Sequence, residues 1–149
     1  MARIGIWEDG GDFSGALEDC LPTRPVLGRH PAVFSEGFFD LLLVAPSARA
    51  WAGAGVIQCR TALLPGSALP LARALSAQSA VSYGASPKDT LTISSLEDRQ
   101  ICVALQREII TLDGATLERQ EFVLPFPPGE DPERFLGLTG ARLLLTGSP

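Results

Sequence analysis

Two long and largely apolar runs restrict the fold of this chain more than any other feature. They are FFDLLLVAP, residues 38–46, and GVIQCRTALLPG, residues 55–66. A strand with one solvated face alternates apolar and polar side chains, whereas a strand covered on both faces stays apolar for several residues. Since both runs also stop at a proline, they predict buried strands of a sheet with other structure packed on each side.

The beginning of the chain predicts a further strand and a short helix. ARIGIWE, residues 2–8, is typical of a first strand, and Asp12 or Ser14 is a suitable cap for a helix after it. Residues 22–31 hold three prolines, which favours a loop across the surface.

A helix is also predicted between the second apolar run and the next strand. SALPLARALSAQ, residues 67–78, has helical spacing, and its apolar side consists of Leu71, Ala72 and Leu75. SAVSYG, residues 79–84, follows as a short strand, and the succession of strand, helix and strand is typical of a βαβ unit. Residues 1–84 are therefore expected to form a small, partly parallel, Rossmann-like sheet with flanking helices.

After Lys88 the hydrophobic period changes to two, which predicts antiparallel strands. TLTISSL, residues 90–96, alternates apolar and hydroxyl side chains, as in a strand with one solvated face. Asp113-Gly114 then predicts a two-residue type I′ hairpin. The cross-strand pairs expected from that turn are Ile110 with Leu117, Leu112 with Ala115, and Thr111 with Thr116. Residues 85–125 are thus predicted to form a hairpin-rich meander.

The last segment, residues 126–149, carries a helix start at Asp131-Pro132. Gly137 and Gly140 follow soon after, so ARLLLTG, residues 141–147, is either a final strand or part of a helix that runs on to Leu145. A length of 149 residues is typical of one domain, and we expect residues 1–149 to form a single α/β domain.

The composition excludes several kinds of partner. The net charge is −5 and the basic residues are scattered, whereas nucleic-acid backbones require a concentrated positive surface. No segment has the apolar length of a membrane span or of a secretion signal. Three cysteines lie far apart in apolar stretches and indicate free thiols in a reducing compartment: Cys20, Cys59 and Cys102. We therefore expect a cytoplasmic protein that binds neither nucleic acid nor membrane.

No complete catalytic or metal-binding motif is present in the sequence. EDGGDFSG, residues 8–15, lacks the dinucleotide spacing, and its carboxylates favour a helix-capping turn over a phosphate or divalent-cation site. His30 is the only histidine, which favours a surface side chain over a zinc ligand or a catalytic base. Three carboxylates of the meander are expected in cross-strand ion pairs, with a catalytic acid and base as the alternative: Glu108, Glu118 and Glu121. We therefore expect no catalytic residues, no bound metal and no cofactor.

One loop is a candidate ligand site. SYGASPKDT, residues 82–90, follows a predicted parallel strand, and ligands of open α/β sheets bind beyond the carboxyl ends of such strands. An anion is the expected ligand, since Lys88 is the only lysine and lies among hydroxyl groups. The candidate residues are Ser82, Tyr83, Ser86, Lys88 and Thr90. An ordinary turn, favoured by Gly84, Pro87 and Asp89, is the alternative.

These observations favour a non-catalytic cytoplasmic module that binds a protein partner or a small ligand. The antiparallel meander is its expected surface for a protein partner or a homo-oligomer. The alternative is a small or degenerate enzyme that binds an anionic substrate at the Ser82–Thr90 loop. The two hypotheses differ in the orientation of Lys88, because the enzyme hypothesis requires Lys88 and Tyr83 to face one concave site.

Overall fold

The computed structural model describes residues 2–49, 55–68 and 75–149. The strands in these ranges are β1 (Ile4–Trp7), β2 (Val26–Gly28), β3 (Phe38–Val44), β4 (Ile57–Pro65), β5 (Leu75–Tyr83), β6 (Leu91–Leu96), β7 (Gln100–Leu105), β8 (Ile109–Ile110), β9 (Thr116–Leu117) and β10 (Gln120–Pro125). The helices are α1 (Asp12–Ala16) and α2 (Pro132–Thr146), and 3₁₀ turns cover Glu18–Cys20 and Pro31–Phe34.

Eight of the described strands form one mixed sheet in the order β10-β7-β6-β5-β4-β3-β1-β2. Neighbouring strands from β2 across to β6 are parallel, and β7 and β10 are antiparallel additions at the other end. The strands β8 and β9 pair in a separate hairpin. The expected single α/β domain is confirmed, with a mostly parallel sheet and few helices in the described part of the chain. Neither described helix is long and apolar enough to cross a bilayer.

Strands β3 and β4 are covered on both faces, as their apolar runs predict. On one face, Leu43 and Leu63 belong to a core that includes side chains of α1 and α2. On the other face, Leu42 and Ala62 belong to a second core, which the 3₁₀ turn covers with Phe34. Because both faces of these strands are buried, their sequences lack the alternation of apolar and polar side chains that is found in a strand with one solvated face.

Strands β5 and β6 are offset along the sheet. β5 pairs with β4 from Leu75 to Tyr83, but it pairs with β6 only where Tyr83 meets Leu91. The strand β6 therefore begins where β5 ends. As a result, the antiparallel strands extend the sheet beyond the carboxyl ends of the parallel strands.

Two predictions in the first half need correction. Val26–Gly28, inside the predicted loop 22–31, is the edge strand β2, because its backbone pairs with β1 in parallel. Leu75, predicted on the apolar side of a helix, is instead the first residue of β5, where it pairs with Ile57 of β4. The other predicted members of that helical side, Leu71 and Ala72, lie outside the described residues.

The last segment is one helix, α2, rather than a helix followed by a strand. Asp131 caps its first turn with a side-chain oxygen. Gly137 and Gly140 do not end the helix. They lie inside it, where it packs on the sheet. A Cβ on them would come within 2.9 Å of Tyr83 Cζ and 2.8 Å of Leu91 Cδ1, respectively. These glycines allow a close approach of helix and sheet.

The Asp113-Gly114 hairpin forms, but the predicted register is wrong by one residue. The observed pairs are Ile109 with Leu117 and Ile110 with Thr116. Thr111 N donates to Ala115 O, and Gly114 N donates to Thr111 O, so the loop has three residues instead of two. Gly114 has a φ of +91°, the left-handed conformation that such a loop requires. The Thr111 hydroxyl and the Asp113 carboxylate both accept from Ala115 N, which favours the longer loop.

We expect Cys59 to be unreactive in the folded protein. Its side chain is fully buried in β4, and burial raises the pKa of its thiol to about 11. Because only the thiolate is nucleophilic, the raised pKa alone lowers the reactive fraction about a hundredfold. Alkylation with iodoacetamide at pH 8, followed by mass spectrometry, should modify Cys59 in urea but not in buffer. Equal rates for Cys59 and the partly exposed Cys20 in buffer would contradict this burial.

Candidate functional site

The chain leaves β1 and β3 in opposite directions at the carboxyl ends of these neighbouring strands. The segment after β1 leads to β2 on one side, and the segment after β3 leads to β4 on the other side. In open α/β sheets such a reversal of strand order leaves a crevice between the two diverging loops.

Glu8 shapes the loop that follows β1. Its side chain is buried, and its Oε1 accepts hydrogen bonds from Phe13 N (2.9 Å) and Ser14 N (3.1 Å). Its own backbone N donates to Gly28 O (3.0 Å), which ties the loop to β2. In the predicted helix-capping turn, the capping side chain is thus that of Glu8. The N-cap residue of α1 is Gly11, which makes no side-chain cap. The expected caps Asp12 and Ser14 are not the N-cap residue.

The first of two depressions in the crevice has a volume of about 310 Å³. It is lined by both apolar and charged side chains; the lining residues are Asp9, Phe13, Ala45, Pro46, Ser47, Asp131 and Arg134. Asp9 N donates to the Ser47 hydroxyl (3.0 Å), which joins the loops after β1 and β3. Arg134 forms an ion pair with Glu130 (2.7 Å) one turn before it.

The second depression adjoins the first at Asp9 and has a volume of about 540 Å³. Its other lining residues are Arg29, His30 and Arg49. Arg29 lies 4.0 Å from the Asp9 carboxylate, with both side chains largely exposed. Arg49 donates to Ser47 O (2.8 Å) and so folds over the loop after β3. We call the two depressions together the β1/β3 crevice.

Charge is divided across the β1/β3 crevice. The first depression is lined by Asp9 and Asp131 together with Arg134, whose charge is paired with that of Glu130, whereas the second is lined by Asp9 with Arg29, His30 and Arg49. Such an arrangement can bind a molecule whose cationic and anionic groups are a few ångströms apart. The sequence pattern does not indicate this set of residues as a site, because the reversal of strand order depends on β2, a strand of three residues without its own hydrophobic pattern.

The structure separates the residues of the predicted loop site. Tyr83 is fully buried, its hydroxyl donates to Val44 O (2.6 Å), and Lys88 is exposed. Burial, and then the nearby carboxylates of Glu133 and Asp131, raise the pKa of Tyr83. Tyr83 and Lys88 therefore do not face one concave site.

The hydroxyl groups of this loop bond mainly to its own backbone. Ser82 N donates to the Thr90 hydroxyl (3.3 Å), and Thr90 N donates to the Ser82 hydroxyl (3.1 Å). The Ser86 hydroxyl accepts from Lys88 N (3.2 Å). Asp89 is buried and accepts from Ser86 N (3.1 Å). These bonds close the loop upon itself, as the alternative of a turn requires.

The polar side chains of the meander border a third depression, of about 430 Å³, on β7 and β10. Arg119, Gln106 and Glu121 line it, whereas Glu108 and Glu118 do not. Cys102 Sγ donates to Glu121 Oε2 at 3.7 Å.

The structure places His30 on the surface, where its Nδ1 accepts from Ala32 N (3.1 Å). Within the described ranges, no three side chains of His, Cys, Asp or Glu lie close enough together to hold a metal ion. Comparisons of the chain with protein-family models, with curated proteins and with solved structures find no significant match.

Proposed function

We propose that the protein is a non-catalytic module that binds a small zwitterionic ligand in the β1/β3 crevice. The observation that carries this proposal is the position of the two depressions, which share Asp9 where the chain leaves β1 and β3 in opposite directions. The strand order β2-β1-β3-β4-β5 is one of the two common orders of doubly wound, Rossmann-like sheets, in which ligands bind at this reversal.

The size of the crevice suits a small molecule. Depressions of about 310 and 540 Å³ fall in the range of about 300–1,000 Å³ that is usual for ligand pockets. Phe13, Ala45 and Pro46 provide an apolar floor for the body of the ligand, and the Ser47 hydroxyl is a polar group beside it. A few polar groups around an apolar floor are typical of sites that orient a small ligand.

The charges in the two depressions support a zwitterion as the chemical class of the ligand. An ammonium group would be attracted to Asp9 and Asp131, and a carboxylate or phosphate to Arg29 and Arg49. Arginine is well suited to such oxyanions because its planar guanidinium presents paired donors. A ligand with a single charge would satisfy only one side, so it would be expected to bind more weakly.

The test is a titration of the ¹⁵N-labelled protein, followed by NMR. Phosphoethanolamine is the zwitterionic probe, and ethanolamine and inorganic phosphate are counterparts that carry charge of only one sign. We expect phosphoethanolamine to shift amides in residues 8–13 and 45–49, and to bind more tightly than either counterpart. Asp9→Asn should weaken its binding about threefold, as expected for one largely exposed charge.

Asp98→Asn is the matched control, because Asp98 is an exposed aspartate in the turn between β6 and β7. An equal loss of affinity in both variants, or the absence of amide shifts in the β1/β3 crevice, would rule the proposal out. Shifts by inorganic phosphate confined to residues 82–90 would instead support the alternative, an enzyme that holds an anionic substrate at the Ser82–Thr90 loop. That alternative would depend on Lys88, which is exposed there.

A further inference from the structure

We propose that the outer edge of β5 pairs with β5 of a second copy of this chain, in an antiparallel, two-fold symmetric dimer. This inference concerns a different part of the sheet from the β1/β3 crevice and does not depend on the proposed ligand. It also differs from the expectation that the meander carries the homo-oligomer surface.

Among the described strands, the outer edge of β5 is mostly unpaired because β6 is offset. On its inner side β5 pairs with β4 along its whole length, and on its outer side only Tyr83 pairs with β6. No other described strand pairs with residues 75–82 on that side. The side chains of Ser76, Gln78, Ser79 and Ala80 are exposed. Ser82 N already bonds to the Thr90 hydroxyl, so the outward backbone N–H and C=O groups of residues 75–81 are the ones available to another strand.

The other two edges of the sheet carry features that discourage pairing. The strand β2 is only three residues long and lies between the exposed residues Arg24 and Arg29. The strand β10 carries the exposed Glu121 and ends at Pro125. Short length, charge and proline are the usual protections of natural sheet edges. By contrast, LSAQSAVSY of β5 has neither a charged residue nor a proline over nine residues.

The chemistry of β5 favours a second copy over an unrelated partner. Its exposed side chains are small or uncharged, so an antiparallel pair of identical strands would bring no like charges together. A two-fold pair uses the same edge of both copies and therefore closes, which leaves no unprotected edge and prevents growth into a fibre. An unrelated charged peptide would find no opposite charge on this strand.

A depression lies on the face of the sheet next to this edge. It has a volume of about 320 Å³ and is lined by Phe38, Gln58, Cys59, Ser76, Ala77 and Gln78. Phe38 is 44% exposed there, at the first position of β3. Pairing of two β5 strands would extend the sheet beside this depression.

The test is the molar mass of the full chain in solution, measured by light scattering after size-exclusion chromatography between about 5 and 500 µM. We expect a dimer that dissociates on dilution. The double variant Gln78→Lys, Ala80→Lys places charges on the paired edge of both copies and should weaken the dimer roughly tenfold or more. The control, Ser94→Lys with Ser95→Lys on the exposed part of β6, should leave the dimer unchanged.

Hydrogen exchange of the unmodified chain provides a measurement that does not depend on a folded variant. Amides in residues 75–81 should exchange more slowly at 500 µM than at 5 µM, whereas amides of β10 should not change. A monomer at all concentrations, or protection of β10 instead of β5, would overturn the proposal. A dimer that the Ser94→Lys, Ser95→Lys control dissociates and the β5 variant does not would place the interface on the meander.

Discussion

Replacement of Glu8 by alanine should lower the free energy of unfolding by about 2–4 kcal/mol. The buried carboxylate accepts hydrogen bonds from Phe13 N and Ser14 N, and alanine would leave both donors without this acceptor. Hydrogen bonds to a charged group contribute about 1.5–3 kcal/mol each, and two bonds to one oxygen contribute less than twice that. Urea denaturation followed by circular dichroism would measure the change.

Glu8→Gln is the matched variant, because the amide oxygen can accept the same two hydrogen bonds without a negative charge. We expect it to lose about 1–2 kcal/mol, less than the alanine variant, since a neutral acceptor forms weaker bonds. If both variants unfolded at the same urea concentration as the parent protein, the Glu8 carboxylate would not be what holds α1 in place.

The position of Glu8 also links stability to the β1/β3 crevice. The two bonds fix the start of α1, and Phe13 on that helix forms part of the crevice floor. Glu8→Ala is therefore expected to broaden the NMR signals of residues 9–13 even at temperatures where the sheet remains folded. The shape of the proposed site would depend in this way on a buried group outside its lining.

Strands whose burial is visible in their own residues were predicted from the sequence, whereas strands that depend on pairing with distant residues were not. The buried strands β3 and β4 were predicted correctly, because coverage of both faces is visible as a continuous apolar run. The strand β2 was missed, since three residues among prolines have no pattern, and only pairing with β1 orders them. Leu75 has helical spacing relative to its neighbours, yet its pairing with Ile57 decides its conformation.

The candidate site was harder to predict than the sheet. The loop around Lys88 is prominent in the sequence because hydroxyl groups surround a single lysine. In the structure, Ser82 and Thr90 bond to each other's backbone, and Tyr83 bonds to Val44. Residue types that suit ligand binding also suit loop closure, and sequence alone does not distinguish the two uses. The β1/β3 crevice depends on strand order, which is a property of pairings between distant segments.

Gly137→Val should lower the free energy of unfolding by about 3 kcal/mol, a loss similar to that expected for Glu8→Ala. A Cβ at this position would lie 2.9 Å from Tyr83 Cζ and 3.1 Å from Phe13 Cε1. The Tyr83 ring has little freedom to move away, because its hydroxyl is bonded to Val44 O in the core. The side chain of valine would therefore separate α2 from the sheet, and thermal or urea denaturation would measure the loss.

A double-mutant cycle with Tyr83 tests this cause directly. In the parent protein, Gly137→Ala should be destabilising by about 1 kcal/mol, because crowding exceeds the gain of about 1 kcal/mol in helix propensity. In a Tyr83→Leu background the ring is absent, so the same change should be neutral or stabilising. Gly15→Ala is the control, since its added methyl group meets no heavy atom within 4 Å. Equal effects of Gly137→Ala in the two backgrounds would show that the contact with Tyr83 does not restrict this position to glycine.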